Sequence, residues 1–315
     1  MSNKGIIPVF YACDEAYLKY ALVSIYSLIK NASSEYKLDI HVLNTGISDI
    51  STQMIKRLEN ENVNIQFDDV THNLKEIESQ LPLRDYYSMT TYYRVFIAQM
   101  FPWYDKVIYL DSDTIIKGDI SKMYEIDLGD NYVGGVNDPV VSQTDIFAEY
   151  AETVLGINRF DYFNAGVLLI NIKMFREENV LGQFVELINK YSFIVAQDQD
   201  YLNVICQGKV LKLDPSWDSE VYGEFLCSVE QMNIIHYNLA AKPWHYKDCR
   251  LSDIFWDYAK QTESYEELEK ECENYTDEQR KIDEQAGENL ANLAAAEINR
   301  ADNYYNMHVK NRFAV

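Results

Sequence analysis

Short apolar runs and one-sided helical patterns alternate through the first hundred residues. The run IIPVFYA (6–12) predicts a buried strand, and apolar residues then recur at steps of three and four over 18–29, as in a helix with one buried face. LDIHVLNTG (38–46) and NIQFDDV (64–70) predict two more strands, and Ser48 is placed to cap a helix between them. This alternation predicts an α/β fold with a mostly parallel sheet covered by helices.

The same alternation continues towards the middle of the chain. TTYYRVFIAQM (90–100) predicts a helix, and KVIYL (106–110) predicts a buried strand. Further strands are predicted in NYVGGVND (131–138), YFNAGVLLINIKMF (162–175) and GKVLKLD (208–214), and a helix in VLGQFVELINKY (180–191). Ligands of such folds bind beyond the carboxyl ends of the strands.

The hydrophobic pattern weakens after about Gln261. Residues 261–300 carry 12 acidic and 4 basic side chains, with sparse apolar residues at Leu268, Ile282, Leu290, Leu293 and Ile298. This composition is typical of solvated helices outside a main core. We therefore expect a main domain over residues 1–250 and an acidic, mainly helical C-terminal extension over 251–315.

Composition narrows the classes of partner. The 315 residues are 47% hydrophobic, enough for a substantial core, and the formal net charge is -22. Such a charge repels phosphates, so nucleic acid and anionic membrane surfaces are disfavoured, and a phosphate-bearing substrate would need a local cation. Five scattered cysteines without a CxxC pair, and no apolar run of about 18 residues, favour a cytoplasmic protein.

The stretch YLDSDTII (109–116) places two carboxylates directly after an apolar run. Asp111 and Asp113 alternate along an extended segment, and a bend at Ser112 would let both bind one divalent cation. A solvated turn is the simpler interpretation of an arbitrary DxD. A dehalogenase-type phosphatase is a third, but Thr114 comes one place early for its DxDxT motif.

Five motifs in order carry a resemblance to a known family. They are TTYYRVFIA (90–98), YLDSDTII (109–116), FNAGVLLIN (163–171), QDQDYLN (197–203) and IIHYNLAAKPW (234–244). Together they resemble glycosyltransferase family eight, whose retaining enzymes include bacterial lipopolysaccharide galactosyl- and glucosyltransferases and glycogenin. The resemblance runs from about residue 7 to residue 245, and the tail beyond about residue 250 matches nothing in it.

The resemblance implies a GT-A type, Rossmann-like nucleotide-binding fold, a Mn²⁺ ion with Mg²⁺ as the alternative, and a UDP-sugar donor. By motif, Asp111, Asp113 and His236 would be the metal ligands. Lys242 would donate to a phosphate oxygen of the donor. The metal ion and this lysine would supply, within the site, the positive charge that an acidic protein needs to bind a phosphate-bearing donor. Taken alone, His236 after an apolar strand is better explained by a hydrogen-bonded core histidine, and Lys242, six residues later, reverses that preference.

The resemblance also assigns contacts to the nucleotide and the donor sugar. The assigned residues are Ala12, Asp14, Arg94, Ser112, Asn164, Ala165 and Lys242. Asp14 is also placed to cap a helix, and Arg94 is equally suited to orient Asp198. Asn164 and Ala165 also fit an ordinary turn before a core strand, where Gly166 permits a close backbone approach.

The QDQD segment is the predicted reaction centre. By resemblance, Asp198 would bind donor-sugar hydroxyls and Gln199 would lie beneath the anomeric carbon. Because an amide is a poor nucleophile, we expect front-face displacement through an oxocarbenium-like state, with Asp200 as the alternative nucleophile. Asp138, before Pro139, is a candidate acceptor contact or a turn residue.

The sequence as a whole predicts a retaining transferase that moves glucose or galactose from a UDP-sugar to a glycan, polysaccharide or glycolipid acceptor. A sugar-nucleotide-binding protein without turnover is the alternative, and a DxD phosphohydrolase is a more distant one. We expect a cytoplasmic protein, peripheral at the inner membrane face if the acceptor is lipid-linked. The sequence leaves open the choice between glucose and galactose and the formation of a homo-oligomer.

Overall fold

The structure is a computed structural model that describes residues 5–75 and 89–309. The strands in this part of the chain are β1 Ile6–Ala12, β2 Lys37–Asn44, β3 Val63–Asp69, β4 Lys106–Leu110, β5 Thr114–Ile116, β6 Val133–Gly135, β7 Val167–Asn171, β8 Val210–Lys212, β9 Ser219–Glu220 and β10 Ile234–His236. The α-helices are α1 Leu18–Asn31, α2 Asp49–Lys56, α3 Thr71–Leu74, α4 Ile97–Met100, α5 Ser121–Tyr124, α6 Pro139–Gln143, α7 Asp145–Tyr150, α8 Ile172–Glu177, α9 Val180–Lys190, α10 Asp198–Ile205, α11 Ser252–Ala259, α12 Tyr265–Asn274 and α13 Asp277–Ile298.

The large sheet has the strand order β3-β2-β1-β4-β7-β6-β8. Its pairs are parallel except for those that β7 makes with β4 and β6, so β7 alone runs in the opposite direction. The predicted α/β fold with a mostly parallel sheet is confirmed. The strand order reverses between β1 and β4, which is where open α/β sheets form a ligand crevice.

Helices cover both faces of this sheet, and its strands supply two separate apolar clusters. In β7, Leu168 and Ile170 face one cluster, whereas Val167 and Leu169 face the other. This alternation follows from the two-residue period of a strand. Because both faces are buried, the central strands β1, β4 and β7 are apolar at nearly every position, which explains their continuous apolar runs in the sequence.

A second, smaller sheet has the order β5-β10-β9. Strand β5 begins directly after the DxD segment, and β10 pairs with it in antiparallel fashion, with His236 opposite Thr114. Strand β9 pairs with the other edge of β10, with Glu220 opposite His236. The small sheet therefore brings chain segments that lie more than 100 residues apart to the end of β4.

Two predicted elements differ in detail from the structure. The helix predicted over 90–100 is a 3₁₀ helix over Met89–Phe96 that continues as α4. Its threonine, tyrosine and valine residues have low α-helix propensity. The strand predicted over 162–175 is confined to β7, because the side chain of Asn171 accepts a hydrogen bond from the backbone N–H of Met174 and caps α8.

The C-terminal helices are present, but they do not lie wholly outside the main core as the composition indicated. Leu290 and Ala294 of α13 belong to the cluster that contains α9 and the 3₁₀ helix. Leu268 of α12 is buried in a third cluster with Trp244 and Phe255. A few apolar residues on one face of each helix are enough to dock it, which an average over the acidic segment conceals.

No helix within residues 5–75 and 89–309 is both long enough and apolar enough to cross a lipid bilayer.

The central strands should dominate the stability of the fold. Ile108 in β4 is 0% exposed, whereas Ile50 in α2 is 85% exposed. We expect Ile108→Ala to lower the free energy of unfolding by about 2–5 kcal/mol, because it leaves a cavity in the sheet core. The matched change Ile50→Ala should alter it by less than about 0.5 kcal/mol. Urea denaturation of both variants measures the difference, and equal effects would contradict this account of the core.

Candidate active site

A cavity of about 270 Å³ lies at the carboxyl ends of β1 and β4. Of the fourteen site residues predicted from the sequence, all but Asp200 line it: Ala12, Asp14, Arg94, Asp111, Ser112, Asp113, Asp138, Asn164, Ala165, Asp198, Gln199, His236 and Lys242. The structure thus collects in one place residues that are spread over more than 200 positions of the sequence.

The reversed direction of β7 explains how the FNAG segment reaches the DxD segment. Leu110 at the end of β4 pairs with Val167 at the start of β7. The backbone N–H of Asp111 then donates to the carbonyl oxygen of Gly166 at 2.7 Å. The side chain of Asn164 accepts from the N–H of Gly166, also at 2.7 Å, and fixes the turn before the strand. The turn alternative for Asn164 is therefore correct and compatible with its place in the cavity.

Asp111, Asp113 and His236 form a group whose candidate ligand atoms all lie within 4.8 Å of one another. Nε2 of His236 lies 3.3 Å from Oδ1 of Asp113, yet no described group donates a hydrogen bond to that buried oxygen. Two carboxylates and an imidazole with converging ligand atoms, among them the unsatisfied Oδ1 of Asp113, match the donor set of a divalent cation. These three residues fit the metal that the sequence resemblance implies.

The orientation of His236 is fixed by a residue that the sequence analysis missed. Nδ1 of His236 lies 3.0 Å from Oδ1 of the buried Asp218. Burial would lower the pKa of His236, but Asp218 and Asp113 raise it well above its usual value, so the imidazole is protonated in the free protein. A bound cation would replace the proton on Nε2 while Nδ1 keeps donating to Asp218, which is the usual arrangement of metal-binding histidines. Asp218 precedes β9, and only the pairing of β9 with β10 brings it beside His236. No local sequence pattern could have revealed it.

Gly166 is required by the space around this group. A Cβ atom at this position would lie 2.3 Å from Cε1 of His236 and 2.7 Å from Oδ2 of Asp111. Real Cβ atoms do not approach other atoms so closely, so any other residue here would displace one of the two ligands. The close backbone approach that the sequence suggested is therefore a close approach to the side chains of the candidate metal site.

Two buried cations balance the carboxylates of the cavity. The guanidinium of Arg94 lies 3.0 Å from Asp111 and 3.1 Å from Asp198, and it also donates to the carbonyl oxygen of Ala165. Arg94 thus orients both aspartates. Lys242 forms an ion pair with Asp113. Burial would raise the pKa of Asp113, but Lys242 and His236 hold it well below the usual range, so the carboxylate stays ionised.

The side chain of Gln199 is held at both ends. Its Oε1 accepts from the N–H of Ala165 at 2.9 Å, and its Nε2 donates to Asp138 at 2.8 Å. Asp138 also caps α6 by accepting from the N–H of Val141 at 3.0 Å, so its turn role and its place in the cavity coexist. These contacts fix the position of the Gln199 amide in the cavity wall.

A strained turn positions the QDQD segment. Gln197 has a positive φ of 49° with ψ of -121°, and the N–H of Gln199 donates to the carbonyl of Ala196 at 3.1 Å. This is the first central position of a type II′ turn, which glycine usually occupies. The sharp turn starts α10 at Asp198 and places Asp198 and Gln199 in the cavity wall. A glutamine at this position gives no sequence signal for such a turn.

Asp200, the alternative nucleophile, does not lie in the cavity wall. Its carboxylate accepts hydrogen bonds from the hydroxyls of Tyr150 and Tyr162, at 2.9 and 2.7 Å, and from the N–H of Ala196 at 2.9 Å. With these donors satisfied inside the protein, the carboxylate anchors the start of α10 and is not directed at a substrate. This geometry does not favour Asp200 as the alternative nucleophile.

Asp198 and Asp14 differ in environment although both line the cavity. Burial raises the pKa of Asp198 to about 6, with the charge of Asp111 acting in the same direction and Arg94 opposing it. Asp14 is in a more open position and accepts from the N–H of Tyr17 at 2.9 Å, just before α1 begins. Asp14 therefore supports the turn before the helix without being its N-cap residue.

Comparison with known proteins finds glycosyltransferases both by family model and by sequence relatives. Residues 8–248 match the family model described as glycosyl transferase family 8. A putative glycosyltransferase of Haemophilus influenzae is 29% identical over 253 residues, covering 78% of this chain and 74% of that protein. The lipopolysaccharide 1,2-glucosyltransferase of Escherichia coli K12 is 26% identical over 262 residues, covering 78% of this chain and 75% of the relative.

Solved structures agree with the sequence relatives. The galactosyltransferase LgtC, in complex with donor and acceptor sugar analogues, superimposes with a TM-score of 0.69 at 25% identity, covering 83% of this chain and 100% of LgtC. The bifunctional glycosyltransferase WbbM gives 0.74 at 26% identity, covering 85% of this chain and 52% of WbbM. The predicted GT-A type fold is confirmed. A further LgtC structure is that of an active-site mutant in which a glutamine is replaced by glutamate.

The geometry at Gly166 generates a test of the metal site. We expect Gly166→Ala to weaken Mn²⁺ binding by at least tenfold, because the added methyl group must displace His236 or Asp111. Gly287→Ala is the matched control: Gly287 lies in α13 with nothing within 4 Å of the added Cβ, and alanine should stabilise a helix interior by about 0.5–1 kcal/mol. Calorimetric titration with Mn²⁺ measures the affinity, and undiminished binding by Gly166→Ala would contradict the site.

Proposed function

The chain belongs to glycosyl transferase family 8, and on that premise we propose that it is a retaining, metal-dependent hexosyltransferase with a UDP-sugar donor. The transferred sugar is glucose or galactose, and the acceptor is a glycan or glycolipid. One observation carries the proposal: the metal-type group of Asp111, Asp113 and His236 shares a single cavity with Lys242 and the fixed amide of Gln199. A transferase needs the group that binds the diphosphate close to the residue that faces the anomeric carbon, because the anomeric carbon is bonded directly to the diphosphate leaving group.

In this proposal the end of the cavity near β1 receives the nucleotide. Ala12 and Asp14 follow β1 and face the uridine, and Ser112 lies between the two ligand aspartates. A bound divalent cation would neutralise the negative charge of the diphosphate. Lys242 donates to a phosphate oxygen when it is released from Asp113, its partner in the structure. This local positive charge lets a strongly acidic protein hold an anionic donor.

The donor sugar lies between Arg94 and the QDQD segment. Asp198, oriented by its ion pair with Arg94, accepts hydrogen bonds from sugar hydroxyls. Asn164 and Ala165, fixed by the turn before β7, form the floor beneath the ring. Burial of these groups supports the proposal, because hydrogen bonds to a substrate are strongest where water is excluded.

The chemistry that we propose is front-face displacement. The bond from the anomeric carbon to the phosphate oxygen breaks, its electron pair stays on the phosphate, and the acceptor oxygen bonds to the same face of the carbon. The acceptor proton passes to the phosphate oxygen. Gln199 stabilises the oxocarbenium-like state through its amide oxygen. Because the carboxylate of Asp200 is directed into the protein, the group in the cavity wall at this point is the Gln199 amide and not a carboxylate. A glutamine also lies in the active site of LgtC, where its replacement by glutamate is described as an active-site mutation.

The site of action that we propose is the cytoplasm, where UDP-sugars are made and where the five unpaired cysteines remain reduced. A lipid-linked acceptor would bring the protein to the inner face of the membrane.

The first test removes a proposed metal ligand. We expect Asp113→Ala to lose more than 90% of UDP-glucose or UDP-galactose turnover in Mn²⁺, because the remaining ligands hold the cation and the diphosphate poorly. The control is Asp161→Ala, on the surface in an ion pair with Lys212. Released UDP reports turnover. Wild-type protein that binds UDP without consuming any UDP-sugar would instead support a binding protein, and near-normal turnover by Asp113→Ala would overturn the metal assignment.

The second test concerns the anomeric configuration. From an α-linked UDP-hexose we expect an α-linked product. Gln199→Ala should reduce kcat by about 10²–10³-fold without abolishing it, because one electrostatic contact is lost from a site that otherwise remains. The surface variant Gln207→Ala should keep its turnover. Product NMR identifies the linkage, and a β-linked product would refute the retaining mechanism.

A further inference from the structure

One side of the cavity is apolar and lies beyond the QDQD turn. Its residues come from three places in the chain: Val140, Val141 and Phe147 of α6 and α7, Val195 before the turn, and Leu290 of α13. We call this set the apolar wall. It continues directly from Asp138, which precedes α6, and from Ala196, which precedes the turn. Asp138 accepts hydrogen bonds from both Val141 and Gln199, so the wall begins next to Gln199.

The position of the apolar wall determines which part of the acceptor it contacts. If the nucleotide occupies the end near β1, as the proposed function requires, the donor sugar extends to Gln199 and Asp138. The acceptor must then reach the anomeric carbon from the space next to the wall. Four of the five side chains are aliphatic and one is a phenyl ring, so they offer no hydrogen bonds to hydroxyl groups. An apolar part of the acceptor is the group that they can bind.

Leu290 is held in this wall by the rest of α13. Asp283, seven residues earlier, accepts hydrogen bonds from the hydroxyls of Tyr246 and Tyr275 at 2.7 and 2.6 Å. Ala294, four residues later, is fully buried in the main core. Steps of seven and four place the three residues on one face of the helix. The family match ends at residue 248, so this part of the wall is an addition of the C-terminal segment.

The charges around the wall indicate an uncharged acceptor. Among the described residues that line the cavity, the lysine and arginine side chains are Lys242 and Arg94, and both pair with carboxylates at the donor end. Glu284 and Glu288, on the exposed side of α13 near Leu290, add negative charge. Within residues 5–75 and 89–309, no lysine or arginine side chain lies in the wall to bind a phosphate group, and the net charge of the chain would repel one.

We propose that Leu290 determines acceptor specificity, by binding with Val140 and Phe147 an uncharged, apolar group attached to the reacting sugar. The acceptor is then a neutral glycoside with an apolar aglycone, and not a sugar phosphate. This inference rests on the proposed function, because it assigns the donor end of the cavity to the nucleotide.

Calorimetric titration of the full chain, loaded with UDP and Mn²⁺, tests the proposal with defined probes. The probes are hexyl and methyl β-glycosides of galactose and glucose, and glucose 6-phosphate. We expect hexyl glycosides to bind at least tenfold more tightly than methyl glycosides, since each buried methylene contributes about 0.8 kcal/mol. Leu290→Ala should remove most of this difference and leave the Kd of UDP unchanged. Leu293→Ala, in the same helix but not in the cavity wall, should keep the difference.

Val140→Ala provides a second variant from the opposite part of the wall. It should also reduce the preference for hexyl glycosides, so the test does not depend on the folding of Leu290→Ala. Equal affinities for hexyl and methyl glycosides, a hexyl preference that survives both variants, or tighter binding of glucose 6-phosphate would each overturn the inference. Failure of UDP to bind the wild type would instead count against the proposed function, which keeps the two outcomes distinct.

Discussion

The candidate site depends on the close contact between the backbone at Gly166 and the side chains of Asp111 and His236. This contact exists because β7 runs antiparallel to β4, so that the beginning of one strand lies beside the end of the other. The backbone hydrogen bond from Asp111 to Gly166 fixes the first carboxylate, and the missing side chain leaves room for the imidazole. Once these positions are set, Arg94 and Asn164 have little freedom in where they lie.

The buried charges of the cavity are stable only as a set. Asp111, Asp113 and Asp198 lie close together at the end of the sheet, where their mutual repulsion and their loss of hydration both cost free energy. Arg94 forms ion pairs with Asp111 and Asp198, and Lys242 forms one with Asp113. Removal of either cation would leave an uncompensated buried carboxylate, which costs far more than the loss of a surface ion pair. The same cations are therefore structural in the free protein and available to an anionic ligand.

Much of the fold and most of the cavity residues could be predicted from the sequence. Strand runs such as IIPVFYA and KVIYL have the continuous apolar pattern of a buried parallel sheet, and the ordered motifs contain ten of the thirteen predicted residues that line one cavity. The features that the sequence did not predict have identifiable physical causes. Asp218 depends on the pairing of β9 with β10, which no local pattern encodes. The inward direction of Asp200 depends on Tyr150 and Tyr162, far away in the sequence, and the docking of α13 rests on a few residues in an acidic segment.

The metal-type group draws its side chains from both sheets, with Asp111 at the end of the large sheet and His236 on the small one. A ligand that bridges them would bind the folded chain and not the unfolded one, because the unfolded chain keeps these residues more than 100 positions apart. Occupancy and folding are then thermodynamically linked, and the stability of the protein rises with the logarithm of ligand concentration. The supply of cation and nucleotide in the cell would thereby influence how long each molecule survives as well as how fast it works.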